Sequence, residues 1–201
     1  MTPDTERIRL VESDPRWPAR FSDEAGALRR ALSDRGLVAI EHIGSTAIPG
    51  LRAKPIIDIM AGADRIDRVV PEWRSTLESL GYRYRNDVEH LIPERRYFDK
   101  GKGTPNAFHL HIVERDTSFW REHLDFRDWL RTHPTDAKAY ARLKQELADQ
   151  FGYDRRGYCD AKSEFIECIV ETARIHAASP PPKSSNESPK SPQSSSSPRP
   201  R

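Results

Sequence analysis

The spacing of hydrophobic positions changes several times along the chain, and each change marks an element. Arg7-Ile8-Arg9-Leu10-Val11 alternates polar and apolar, the period of a short half-buried strand. Asp14-Pro15 opens a stretch in which Trp17, Phe21, Ala25, Leu28 and Leu32 recur at three- and four-residue steps. That spacing predicts an amphipathic helix with Trp17 and Phe21 in the core and Gly36 as a left-handed stop. Leu37 to Ile43 and Ala53 to Ala61 are apolar runs of strand length. Asp64 to Leu80 returns to helical spacing through Ile66, Val69, Val70, Trp73 and Leu77, with Gly81 as its end and Pro71 as the expected start of its regular part. Three extended pieces follow, Tyr82 to Arg85, Arg95 to Phe98 and Ala107 to Val113. The last two are joined by the turn-forming Gly101-Lys102-Gly103-Thr104-Pro105-Asn106. Beyond Arg115 the pattern is helical. Thr117 or Ser118 caps a helix bearing Phe119, Trp120, Leu124, Phe126, Trp129 and Leu130; Pro134 opens one bearing Tyr140, Leu143 and Leu147. Asp160 is the expected cap of the last, which carries Phe165, Ile166, Ile169 and Val170. A mixed strand and helix half followed by a helical C-terminal segment is an α+β order.

Composition divides the chain at one point. Residues 178–201 are rich in Ser and Pro and lack the apolar side chains that could offset ordering entropy, so this tail is expected to be disordered and residues 1–177 to form the domain. The tail holds Lys183, Lys190, Arg199 and Arg201 against Glu187, so the net charge of +2 for 201 residues leaves the body close to neutral. A near-neutral body argues against nucleic acid as a partner. Cys159 and Cys168 fit no metal or redox spacing and read as small half-buried residues of a reduced compartment. The chain begins without a charged-then-apolar leader and holds no apolar run of membrane-spanning length; a cytoplasmic protein with no membrane partner is expected.

Candidate chemistry concentrates between Glu41 and Met60. Gly44-Ser45 follows a strand directly, which suits a phosphate-holding turn and equally an ordinary one. Its spacing to Gly50 is not that of a Walker A loop. Asp58 lies inside Ile56-Ile57-Asp58-Ile59-Met60, where a lone acid needs a cation: a metal, Lys54 or an arginine. His109 and His111 share one strand face about 7 Å apart, as metal ligands, as ligand contact and acid/base, or as a solvated edge; Glu114 faces away. Arg95 and Arg96, with Lys100 and Lys102, form a basic cluster beside them that suits phosphate contacts or a charged hairpin edge.

These residues resemble the GrpB family. The signature is His42-Ile43-Gly44-Ser45-Thr46-Ala47-Ile48-Pro49-Gly50-Leu51 with Lys54-Pro55-Ile56-Ile57-Asp58-Ile59. Pro93-Glu94-Arg95-Arg96-Tyr97-Phe98, His109-Leu110-His111-Ile112-Val113, Phe126-Arg127-Asp128-Trp129-Leu130 and a late Lys162 follow in the same order. The resemblance implies a nucleotidyltransferase-like fold, a mixed β-sheet flanked by helices. It also implies a small-molecule or nucleotide ligand, with a nucleoside triphosphate and a divalent metal (Mg or Mn) as cofactors. In such a site Gly44 and Ser45 hold phosphate, and Lys54, Arg95, Arg96 and Lys162 meet the ligand's charge. Asp58, His109 and His111 serve as catalytic residues and metal ligands. The pattern departs from its superfamily at Met60, where a second acid is expected, and at the histidines, where a third is expected. One aspartate and two imidazoles suit a single ion better than a magnesium pair. The resemblance therefore leaves two functions in view: metal-dependent nucleotidyl transfer to an acceptor, or a catalytically silent domain that binds a nucleotide or a protein. GrpB-like domains also occur fused to dephospho-coenzyme A kinase, which fits the second.

Overall fold

Strand alternation sorts the chemistry of this protein onto one side of a sheet. The computed structural model describes residues 7–101 and 107–178. Its strands are β1 (Leu37–Ile43), β2 (Ile56–Ala63), β3 (Arg83–Tyr84), β4 (Arg96–Lys100) and β5 (Ala107–Glu114). They form one mixed sheet in the order β1-β2-β5-β4-β3, parallel at β2–β5 and antiparallel at the other three joins. On one face Ile57, Ile59, Ala61, Phe98, Leu110 and Ile112 pack against two helices, α1 (Trp17–Leu32) and α2 (Ile66–Ser79). Trp17 and Trp73, both fully buried there, are worth the most, since aromatic side chains bury the largest areas.

The other face carries Asp58, Met60, His109 and His111, and it is covered unevenly. At one end α3 (Ser118–Thr132) lays Phe119 and Trp120 on Ile43, Met60 and Val113. At the other, α4 (Pro134–Phe151), α5 (Arg155–Asp160) and α6 (Ser163–Ala178) stand off from the strands. α4 and α6 pack with Ile48 and Leu51 of the loop after β1, and α5 packs on α4 and Ile8 through Tyr158, which leaves a cleft over Asp58. Two arginines of α3 strap the end of β1 and that loop in place. The Arg127 guanidinium donates to Glu41 (2.7 Å) and to the His42 carbonyl (3.0 Å), and Arg131 donates to the Ala47 carbonyl (2.9 Å).

Several expectations need correction. The strand at residues 7–11 reduces to one bridge, Val11 to Ala53, because Ile8 is used against Leu147 and Tyr158 of the helices. β2 begins at Ile56, since Pro55 has no N–H to give a ladder. α2 begins at Ile66 rather than Pro71: the core needs Val69 in that first turn, and Glu114 accepts the Ile66 N–H at 3.0 Å. Asp160 ends α5 instead of capping the last helix; α5 has its own cap, Asp154, which accepts from Gly157 N at 2.9 Å. Gly36 is left-handed at φ 78°, but it turns the chain into β1 rather than capping α1. Cys159 and Cys168 are exposed, not half-buried. The Thr117 cap and the Pro134 start are as expected. The turn at 102–106 and the Ser/Pro tail beyond residue 178 lie outside the described residues. Among the described residues, no helix is long and apolar enough to cross a membrane.

Candidate functional site

Gly44 has φ 71° and ψ −175°, a region essentially closed to residues with a Cβ. A Cβ there would also sit 2.4 Å from Asp58 Oδ2, so glycine lets the turn lie directly against the carboxylate. The turn is braced from behind. Thr46 donates its hydroxyl hydrogen to the Ile56 carbonyl (3.2 Å), leaving Oγ1 to accept from His42 Nε2 at 3.1 Å. That assigns His42 a neutral Nε2–H tautomer. Burial, opposed only in part by Asp58, pushes its pKa down to about 4. Its ring stacks on Phe21 with centroids 4.6 Å apart.

Register then delivers the cluster. Asp58 is the direct partner of His109, and Met60 of His111, across the parallel β2–β5 pair. His109 Nδ1 donates to Asp58 Oδ1 at 3.1 Å, while His111 Nε2 stands 3.8 Å away, beyond hydrogen-bond reach. One donor atom from each of the three residues lies within 4.8 Å of the others. Burial works to raise the Asp58 pKa, yet the two imidazoles outweigh it and hold the carboxyl well below the usual range. Burial also lowers His111 to about 4 against the pull of Asp58, so it is neutral at pH 7. Tyr97 packs on both imidazoles, with centroids 5.5 and 5.1 Å away. Arg95 lies over Tyr97 and reaches His111 Nδ1 at 3.3 Å, with its Nε buried and unpartnered.

Opposite this cluster the helices present lysines. Lys144 of α4 is 2% exposed; its Nζ lies 3.0 Å from Ser45 Oγ and also donates to the Arg52 carbonyl. Burial, reinforced by Lys162 and Lys54, lowers its pKa to about 7. Lys162 sits over the Tyr158 ring at 4.2 Å with Lys54 near the same ring at 5.7 Å. Burial lowers Lys162 as well. Both sets of groups line a single cleft of about 1680 Å³. That exceeds the ~300–1,000 Å³ usual for a small-molecule site.

The structure thus brings Gly44, Ser45, Lys54 and Asp58 together with Arg95, His109, His111 and Lys162. Asp58 is met by His109 rather than by Lys54. Arg96 is the exception. Strand alternation puts it with Phe98, pairing with Ile112 on the opposite face, where it donates to the Pro93 carbonyl and pairs with Glu89 at 2.9 Å. Lys100, on that same side, is held by Glu24 at 2.8 Å. Sequence reasoning missed Lys144 and gave Tyr140 only a core role. The available signal was a lysine four residues after Tyr140 and three before Leu147, inside the apolar stripe of a helix.

Comparison with known proteins places the fold. The family described as GrpB protein matches residues 7–172. A UPF0157 protein of Pseudomonas aeruginosa is 41% identical over 85% of this chain and 69% of its own length. The glutamate-rich protein GrpB of Alkalihalophilus pseudofirmus is 32% identical over 81% of this chain and 94% of its own. A dephospho-CoA kinase of Mycolicibacterium paratuberculosis, 28% identical, is matched over 44% of its length. The crystal structure of a conserved protein GrpB from Enterococcus faecalis superposes with a TM-score of 0.74 at 34% identity, covering 84% of this chain and 99% of that one. A strand–Gly-Ser–strand unit, a His-x-His strand and strapping arginines on the following helix therefore sit in a shared fold, and the chain belongs to the GrpB protein family.

Proposed function

We propose that the cleft binds a nucleotide through its phosphates, together with one divalent ion on Asp58, His109 and His111, and supports nucleotidyl transfer. The convergence of those three donors, in the same cleft as the Ser45 turn and three lysines, carries this reading. Asp58 Oδ1 lies 3.1 Å from His109 Nδ1 and 3.8 Å from His111 Nε2, close enough for the three residues to hold one ion. One carboxylate and two imidazoles fit a single manganese or zinc ion better than magnesium, which prefers oxygen. The bound ion would supply Lewis-acid stabilisation of charge developing on a phosphoryl oxygen.

The chain's own residues supply the rest. Gly44 allows a phosphate to approach the turn, and Ser45 with Lys54, Lys144 and Lys162 meets its charge. To hold an ion, His109 Nδ1 and His111 Nε2 would need free lone pairs, so the His109 proton would lie on Nε2 rather than toward Asp58. The His111 proton would then sit on Nδ1, facing the Arg95 guanidinium.

The test is calorimetric titration of manganese and zinc into the wild type and Asp58→Asn, followed by thermal shift with nucleoside triphosphates with and without manganese. Metal binding lost in Asp58→Asn, and nucleotide stabilisation that depends on the ion, are the expected results. Nucleotide binding indifferent to both would refute the metal-assisted reading. Arg96→Ala is the control expected to change neither. A second reading, binding without transfer, is favoured by one observation: Met60, where a second acid would stand, is fully buried in an apolar cluster.

A further inference from the structure

The two tyrosine–lysine pairs of the helical segment share one spacing, Tyr140-x-x-x-Lys144 and Tyr158-x-x-x-Lys162. In each, the four-residue step puts the ammonium over its own ring, at 4.8 Å for Lys144 and 4.2 Å for Lys162. Such pairing orients the charge without neutralising it. Among the described residues, none of Lys54, Lys144 and Lys162 forms an ion pair with a carboxylate, although Lys144 is 2% exposed. Three cations held together without an acid are costly, and burial of Lys144 deepens the cost. Two other cations of the interior are paired with carboxylates: Arg127 has Glu41 and Lys100 has Glu24.

We propose that Lys54, Lys144 and Lys162, with the Ser45 hydroxyl, form a metal-independent subsite for a phosphate dianion, and that its binding protonates Lys144. The ligand chemistry is a terminal phosphate or diphosphate; this part rests on the cleft being a phosphate site, as proposed above. The coupling to a proton goes beyond that reading and follows from what surrounds Lys144. From its own helix it meets Tyr140, and from the loop after β1 the Ser45 hydroxyl, the Arg52 carbonyl and the Lys54 ammonium. Lys162 adds its charge from the junction between α5 and α6, and Tyr158 and Cys159 lie around Lys162 from α5. The Arg52 guanidinium is turned away, onto Glu12 and Gln145. Of the carboxylates that line the cleft, Asp58, Asp99, Glu122, Asp160, Glu167 and Glu171, Asp58 is the one that acts on Lys162 and Tyr140, and none pairs directly with the three lysines. An arriving dianion supplies the counter-charge that this set lacks. With a free-state pKa of about 7, Lys144 is mostly neutral at pH 8, so binding there takes up about one proton. Affinity accordingly falls as pH rises above 7.

Sodium pyrophosphate, titrated calorimetrically into the full chain in EDTA, is the probe. Titrations in buffers of different ionisation enthalpy at pH 8 count the protons. Wild type should bind with uptake of about one proton, and Lys144→Met should lose the uptake and at least tenfold in affinity. Lys162→Met should weaken binding to a similar degree and reduce the uptake in part, because its charge no longer lowers Lys144 while burial still does. Arg96→Ala, on the opposite face of the sheet, should bind pyrophosphate as wild type does. No binding in EDTA, or binding without uptake, overturns this inference while leaving the metal reading intact. Conversely, normal pyrophosphate binding in a protein that binds no metal overturns the metal reading alone. Inorganic phosphate as a second titrant separates a single dianion from a diphosphate chain: comparable affinity for the two assigns one phosphate to the subsite. Retention of wild-type affinity and uptake in Lys144→Met would also refute the inference.

Discussion

Lys144 makes folding stability depend on pH in a window where few other groups titrate. Its pKa falls from 10.5 in the unfolded chain to about 7 in the fold, so between these values the unfolded state binds more protons. Stability therefore rises with pH across the window and is lost as pH falls toward 7. At 1.36 kcal/mol per unit, the lysine's contribution is unfavourable by about 4 kcal/mol at pH 7 and about 2 kcal/mol at pH 9. Wild type should gain about 2 kcal/mol between these pH values in urea unfolding followed by circular dichroism. Lys144→Met keeps the volume and removes the charge. It leaves Ser45 and the Arg52 carbonyl without a donor, at a cost of roughly 1–3 kcal/mol. The variant should thus be more stable than wild type by about 1–3 kcal/mol at pH 7 and close to it at pH 9. Only a weaker slope from Lys162, lowered in the same direction, should persist. The histidines lowered to about 4 have finished titrating by pH 7 and do not confuse the readout. Parallel pH slopes for wild type and variant would refute the account of Lys144 as a buried, uncompensated base.

Two further outcomes test the scaffold. Gly44→Ala forces a Cβ into the Asp58 carboxylate at a backbone setting reserved for glycine. It should cost about 2–4 kcal/mol in urea unfolding and weaken manganese binding by calorimetry at least tenfold; unchanged values would mean the turn can relax. Arg127→Met removes the donors to Glu41 and the His42 carbonyl, and should destabilise by about 2–4 kcal/mol. Because the end of β1 loses a strap, amide exchange should quicken at residues 41–43 and the turn that follows first, and uniform quickening across the sheet would argue against a local role.

The sheet was legible because its strands obey a period of two: the run from Leu37 to Ile43 became β1 without change, and His109 and His111 share a face as their spacing requires. The same rule separates Arg95 from Arg96, since neighbours on a strand cannot both face one cleft. Local pattern could not show Lys144 meeting Ser45, for the two are 99 residues apart and the contact exists only once α4 closes over the turn. Nor could it show that Arg127 is buried, because a guanidinium beside Asp128 looks like an ordinary surface pair until Glu41 is brought to its other side. Residues whose role is set within one element were readable; residues whose role depends on two distant elements were not.

The parallel join between β2 and β5 lies at the centre of the sheet, and the three donor residues sit on it in register. Their separation is therefore governed by backbone pairing at the centre of the sheet, whereas Lys144 and Lys162 ride on the peripheral helical segment and Lys54 alone of the lysines stays beside β2. The two halves of the site should have different lifetimes: the donor cluster persists as long as the protein is folded, while sub-global opening of α4 to α6 dissolves the anion half alone. Ligand entry can then proceed by opening one wall of the cleft, with the donor wall kept intact throughout.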